Sequence, residues 1–293
     1  MIHKNKDKFK QILEQTASRT NFSMHLLEKD YYLTLILSRI NELSKSLVFK
    51  GGTCLNKIYY SYFRLSEDLD FSMLLPEYEV SRNKRRQLMQ PIKENIENFA
   101  SRFGMKLLNA KNAGRNESKQ YIYNFNYSSV LRPGEFNIKF EVSLRYGILQ
   151  ENQIHPIRHK FVHPFSGEPL FNAGNVRCLS LEEIVAEKMR AAATRKTIAP
   201  RDFYDIDFII RNGFDITAPV VIELFKQKLK EEGANSDMKK YGHNLGRTEK
   251  EIQDMSSRIE KELLDVLVLK ERENFNVNDA LTRINKALAK FIT

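Results

Sequence analysis

Two carboxylates held close together repel, and a shared divalent cation is the usual way to keep both ionised. Asp68 and Asp70 suit that arrangement. On a strand they share one face with Ser72, while Leu69, Phe71 and Met73 share the other, so one face is core and one is a site. Upstream, the strand-like run Leu47-Val48-Phe49 leads into Gly51-Gly52-Thr53. The glycines permit a sharp turn, and Thr53 to Arg64 predicts a helix of about three turns. A glycine turn feeding a helix N-terminus offers unpartnered N–H groups and a favourable dipole to an anion. Gly51, Gly52 and Thr53 are therefore candidates for holding phosphates, and Ser66 joins the face of Asp68 if the strand extends that far. Phosphate donors beside ligands for Mg²⁺ point to nucleotide chemistry.

Other elements must position that unit. Residues 5 to 45 carry helical spacing of apolar residues, read as two helices with Ser23 as an N-cap between them. Residues 78 to 103 predict a basic amphipathic helix with Lys84, Arg85, Arg86 and Lys93, kinked or divided at Pro91. Its charged face is either solvated surface or an RNA contact. Residues 119 to 145 read as a β-hairpin turning at Arg132-Pro-Gly-Glu135. In its second strand Phe136, Ile138, Phe140, Val142 and Leu144 face one way, and Asn137, Lys139, Glu141, Ser143 and Arg145 the other. Residues 150 to 178 read as irregular. His155, His159 and His163 would align as ligands only on a helix, which Pro156 and Pro164 oppose, so no zinc site is expected. Ser180-Leu-Glu-Glu183 fits a capping box opening a helix, and a second helix carries Asp202 and Asp205 on one face, three residues apart. From 215 onward the chain is charged and helical, including 248 to 269, with no catalytic motif.

The run from Phe49-Lys-Gly-Gly-Thr53 through Arg64-Leu-Ser-Glu-Asp-Leu-Asp-Phe71 resembles the AbiEii/AbiGii-type toxins, a branch of the polymerase-beta-like nucleotidyltransferase superfamily. Glu28-Lys-Asp-Tyr-Tyr32 resembles the family's N-terminal region, and Glu183 to Lys188, Arg195 and Arg201-Asp202-x-x-Asp205 resemble its later motifs. The resemblance covers about residues 28 to 210. It implies an α/β fold: a nucleotidyltransferase core of mixed sheet with N-terminal helices over 1–178, and a helical C-terminal domain over 179–293. It implies Mg²⁺-dependent transfer of a nucleoside monophosphate from an NTP, in bacterial toxin–antitoxin or abortive-infection systems. On that reading Gly51, Gly52, Thr53 and Ser66 hold the triphosphate, and Asp68, Asp70 and Glu141 hold two metal ions. Glu141 here replaces the commoner Asp; its other reading is a surface pair with Lys139 or Arg145. Lys188 would neutralise phosphates, and Asp202 or Asp205 would orient or deprotonate the acceptor.

The chain has 293 residues and a formal net charge of +10, an excess that favours a polyanionic partner. RNA, with tRNA first, is the expected acceptor, since several toxins of the resembled family modify tRNA; a separate antitoxin protein is the expected partner. A cationic small-molecule acceptor is disfavoured by like charge. The competing readings are a non-catalytic RNA- or protein-binding relative of the fold, or transfer to a protein or small molecule. No run of roughly 18 apolar residues is present to span a membrane, and a cytoplasmic location is expected. Cys54 and Cys178 are too few for a disulfide framework and read as packed thiols.

Overall fold

The computed structural model describes residues 1–291, which form two compact units, Met1–Leu179 and Ser180 onward. The first unit is built on a mixed sheet of eight strands: β1 (Leu47–Lys50), β2 (Leu69–Met73), β3 (Lys106–Leu107), β4 (Gly114–Arg115), β5 (Gln120–Ser128), β6 (Glu135–Ser143), β7 (Gln153–Pro156) and β8 (Asn175–Cys178). Their order is β3-β5-β6-β2-β1-β8-β7, with β4 paired to β5. The pairs β2–β6 and β1–β8 are parallel and the others antiparallel. The strands before and after the glycine turn are thus interior to the sheet.

Alternation gives the sheet its two faces. Buried Phe49, Phe71, Phe140 and Phe125 cross four adjacent strands with ring centroids 5.4, 4.9 and 5.4 Å apart. Such pairs contribute about 0.5–1.5 kcal/mol each beyond the area they bury. Asp70, Lys139 and Glu141 fall on the opposite face and are only half-buried.

Two helices, α1 (Lys6–Thr20) and α2 (Met24–Ser38), precede the sheet. Asn21, left-handed at φ 59°, ends the first, and Ser23 is the N-cap of the second. Helix α2 is buried on nearly every side, and its three charged residues each clamp part of the site's scaffold. The Glu28 carboxylate accepts the Ser129 hydroxyl at 2.6 Å and the Val130 N–H at 2.7 Å, which fixes the β5–β6 turn. Lys29 pairs with Glu67 at 3.0 Å, just before Asp68. Asp30, fully buried, meets the Lys57 ammonium at 2.6 Å and accepts the Tyr62 hydroxyl at 2.8 Å.

That last cluster explains a departure from the sequence reading. After α3 (Ile40–Leu43), the helix following the glycines is not three turns to Arg64: α4 (Gly51–Cys54) passes into a π turn, Leu55–Tyr59, and regularity ends. Ser61 and Tyr62 then take positive φ of 47° and 70°. Drawing Lys57 and Tyr62 inward onto Asp30 is incompatible with continuing the helix. Helix α5 (Arg82–Ser101) runs unbroken through Pro91, which is exposed, so water can satisfy the carbonyl its ring leaves unbonded. Arg85, expected on the charged face, is buried instead: it donates to the carbonyls of Val80 at 2.5 Å and Glu117 at 3.1 Å. The stretch 150 to 178, expected to be irregular, carries β7 and β8. Buried Val176 and Cys178 bring β8 against β1, and Pro156 is tolerated at the end of an edge strand.

The second unit is helical, with α6 (Leu181–Thr194), α7 (Pro200–Arg211), α8 (Pro219–Glu231) and further helices that include Glu249–Ser257 and Val277–Leu288. The helix expected over 248 to 269 stops at Ser257 and continues only as short pieces. Ser180 caps α6 by accepting from the Glu183 N–H at 3.2 Å. Cys54 and Cys178 are buried free thiols. Among the described residues no helix is long and apolar enough to cross a membrane.

Candidate active site

The glycine pair is set directly against the aspartate strand. Gly51 has φ +77°, and a Cβ there would lie 2.7 Å from the Asp70 Oδ2 atom. A Cβ on Gly52 would lie 2.6 Å from Arg64 Nη2 and 3.2 Å from Ser66 Oγ. Gly51 therefore needs glycine for both conformation and closeness, whereas at Gly52 a Cβ would displace the end of the Arg64 side chain. Ser66 lies ahead of β2 and not on it, so the glycine turn brings it to the site and strand alternation does not. Thr53 donates its hydroxyl to the Asp68 carbonyl at 2.5 Å and is buried, which ties the turn to the start of the strand.

Strand register assembles the carboxylates. Lys50 pairs with Asp70 across β1–β2, and Asp70 with Glu141 across the parallel pair β2–β6. Glu141 is held from two sides: Lys139 Nζ lies 2.6 Å from Oε2, and Gln120 donates to Oε1 at 2.5 Å. Burial and the charge of Glu141 push the Asp70 carboxyl up to about 6 from 3.8; Asp68 adds to the rise, and Lys139 and Lys50 oppose it. Burial pushes Glu141 up as well, but Lys139, Gln120 and Lys50 together hold it below the ordinary value. Burial draws the Lys139 ammonium down, and Glu141, Asp70 and Asp68 raise it above its ordinary value.

This face therefore crowds carboxylates together, with Lys139 and Lys50 only partly offsetting their effect on Asp70. Among the described residues no group of three or more His, Cys, Asp or Glu side chains is arranged to hold a metal ion, and Glu141 is turned to Lys139 and Gln120. The donors nonetheless suit a hard divalent cation: they are carboxylate oxygens, and crowding makes the ionisation of one of them unfavourable. Lys50, Arg64 and Gln120 also belong to this site. Strand pairing and the close approach at Gly52 reveal them, and neither is visible in spacing alone.

The remaining expected residues lie in the second unit and come together there. Lys188 on α6 reaches Asp205 at 2.8 Å and Asp202 at 3.2 Å on α7, and Arg195 closes on Asp202 at 2.9 Å. The two aspartates are almost fully buried. On another side of α6, Lys228 of α8 meets Glu183 at 2.8 Å and Glu187 at 3.5 Å. Burial would depress that lysine, but Glu187, Glu183 and Glu231 raise it well above the ordinary range.

Residues 35–290 match the family model described as nucleotidyl transferase AbiEii toxin, type IV toxin–antitoxin system. The fold is similar to that of MenT4, a nucleotidyltransferase toxin of Mycobacterium tuberculosis. The two superpose with a TM-score of 0.58 at 16% identity, over 97% of this chain and 99% of that one. It is also similar to a protein from H. pylori described as a candidate nucleotidyltransferase, with a TM-score of 0.51 at 17% identity over 92% and 96% of the two chains. No curated protein sequence matches the chain. With a family match that spans most of its length and a mixed-sheet core that sets the double glycine against the aspartate strand, the chain belongs to the AbiEii nucleotidyltransferase toxin family.

Proposed function

We propose that this nucleotidyltransferase transfers a nucleoside monophosphate from an NTP to a hydroxyl of an RNA acceptor, tRNA in the first instance. The acceptor oxygen bonds to the α-phosphorus as the bond from that phosphorus to the departing pyrophosphate breaks. The observation that carries the reading is Asp70, whose carboxyl is pushed to about 6 beside Asp68 and Glu141 at the foot of a glycine turn. Asp68, Asp70 and Glu141 are the residues that would hold Mg²⁺, two ions in the full set. When bound, Mg²⁺ supplies charge neutralisation at the phosphates and a lowered pKa at the acceptor hydroxyl.

The chain's own groups do the rest. Gly51 and Gly52 leave the backbone bare where the triphosphate approaches, and Thr53 contributes by fixing Asp68. Ser66, beside Gly52, is the hydroxyl assigned to a phosphate oxygen. Lys188 is assigned to phosphate charge, and Asp202 or Asp205 to the acceptor hydroxyl. The net charge of +10 supports a polyanionic acceptor. As a member of a type IV toxin–antitoxin family, the chain is read as the toxin of a pair, restrained in the cytoplasm by a separate antitoxin protein.

The test is to incubate the chain with Mg²⁺, total RNA and each α-labelled NTP in turn. Label should enter RNA of tRNA length with at least one NTP and disappear in Asp70→Asn. Label found only on protein or on a small molecule overturns the RNA acceptor.

A further inference from the structure

Successive residues of β5 point to opposite faces of the sheet. Gln120 reaches Glu141 on the carboxylate face. Tyr121 and Tyr123 turn the other way, into a separate pocket of about 530 Å³ between α5, β4 and the turn at Asn116-Glu117-Ser118. Among the described residues four cations line it, Arg82, Arg86, Lys93 and Arg115, against the single carboxylate Glu117.

Those cations are held without carboxylates. Arg115 donates to the carbonyls of Asn112 at 2.6 Å and Gly114 at 3.0 Å, and Lys93 sits over the Tyr121 ring at 4.8 Å. None of the four has a carboxylate partner among the described residues, and Arg82 and Arg86 are exposed. Tyr123 supplies an independent observation. It is fully buried, it lines the pocket, and among the described residues its hydroxyl has no hydrogen-bond partner. An unmet buried hydroxyl is costly, and such groups are otherwise rare. A donor without an acceptor, inside a concavity ringed by unbalanced cations, calls for an anion with several acceptor oxygens.

We propose that this pocket is a phosphate-binding site, separate from the carboxylate site and independent of the nucleotidyl-transfer reading. Its ligand carries at least two phosphate charges, matching the net +3 of the lining side chains. Arg82 and Arg86 supply charge from the first turns of α5, Arg115 and Lys93 add charge from the lining, and the Tyr123 hydroxyl donates to a phosphate oxygen. The same chemistry is offered by a free polyphosphate and by the 5′-terminal phosphate of an RNA together with its adjoining phosphodiester.

Isothermal titration at low salt with EDTA present separates this pocket from the carboxylates, which repel phosphate when no metal is bound. The two probes are inorganic pyrophosphate and a short 5′-phosphorylated RNA, the latter also in its 5′-hydroxyl form. Wild-type chain should bind at least one phosphorylated probe. Preference for pyrophosphate identifies a small ligand; preference for RNA that is lost without its 5′ phosphate identifies an RNA end. The Arg82→Ala, Arg86→Ala double variant should weaken binding at least about tenfold. Tyr123→Phe, which leaves charge untouched, should weaken it about fivefold with its melting temperature unchanged or raised, because it removes an unpartnered buried group. Binding by neither probe, or binding that survives either replacement at wild-type strength, overturns the proposal.

Discussion

Aspartates meet their neighbours in two different settings in this molecule. In the second unit they are matched: Asp205 and Asp202 have Lys188 at 2.8 and 3.2 Å, and Asp207 has Arg211 at 2.9 Å and Arg283 at 2.6 Å. In the first unit Asp30 is matched in the same way, by Lys57 at 2.6 Å, but Asp70 faces Glu141 and Asp68, and Lys139 is engaged by Glu141 at 2.6 Å. Burying charge is unfavourable unless it is paired and hydrogen-bonded. Charge balanced within the fold acts as scaffold, and charge left unbalanced within reach of solvent marks a place where a ligand completes the arrangement. The pocket lined by Arg82 and Arg86 is the same situation with the sign reversed.

The largest effect should come from Asp70→Asn, which removes the unbalanced charge. Transfer should fall by roughly two to three orders of magnitude or more, as when a group that stabilises transition-state charge is lost. Stability should move the other way. Asp70 is ordinarily protonated below 3.8 and in the fold below about 6, so the folded chain holds this proton more tightly than the unfolded one. The stability it contributes is full below the lower value and is lost as pH rises through the higher one. Without metal at neutral pH, the variant should therefore be more stable by on the order of 2–3 kcal/mol. Mg²⁺ should raise the melting temperature of wild type and not that of the variant. Equal melting curves for the two chains would erase the contrast between Asp70 and the matched aspartates.

Lys188→Met tests the matched side. It leaves Asp202 and Asp205 buried without the lysine they share, and breaking a buried pair from one side destabilises by about 3–5 kcal/mol. If the cluster is scaffold alone, the double variant Lys188→Met, Asp205→Leu recovers both stability and transfer. Recovery of the melting temperature without recovery of transfer assigns Lys188 or Asp205 to the chemistry, and so sharpens the comparison.

Gly51→Ala should act more mildly, through both a positive φ and the 2.7 Å approach to Asp70. A loss of roughly 1–3 kcal/mol is expected from the backbone conformation, with a larger fall in transfer than in stability because the displaced group is Asp70. The residues that made this unit legible were those with strict local rules: a double glycine, a period-two strand, and a polar face carrying Glu141. What stayed hidden was set by distant partners. Asp30 ends the post-glycine helix early by drawing in Lys57 and Tyr62, and nothing local signals it. Arg85 reads as one more charge on a basic helix, yet it is tied to the carbonyls of Val80 and Glu117. Strand β8 is hidden in a stretch of prolines and histidines, and only its position beside β1 makes it a strand.

The smallest effect, and the finest test, belongs to Lys139. As an ordinary surface pair with Glu141 it would be worth about 0–1 kcal/mol, and its loss would pass unnoticed in activity. Its setting argues otherwise, since Lys139 opposes the rise of Asp70 and also keeps Glu141 low. In Lys139→Met both carboxyls should titrate higher. Transfer that needs Asp70 ionised is lost as pH falls through its folded value, so in the variant that loss should begin at higher pH, by about half to one unit. Lys139 also competes with any cation for the Glu141 oxygens, so half-maximal Mg²⁺ should fall about threefold, a change of roughly 0.6 kcal/mol. The two shifts have different origins, one in proton affinity and one in competition at Glu141, and a general loss of folding produces neither. A pH profile and an Mg²⁺ dependence that both match wild type would reduce Lys139 to a surface pair, leaving burial and the neighbouring carboxylates as the source of the charge imbalance at Asp70.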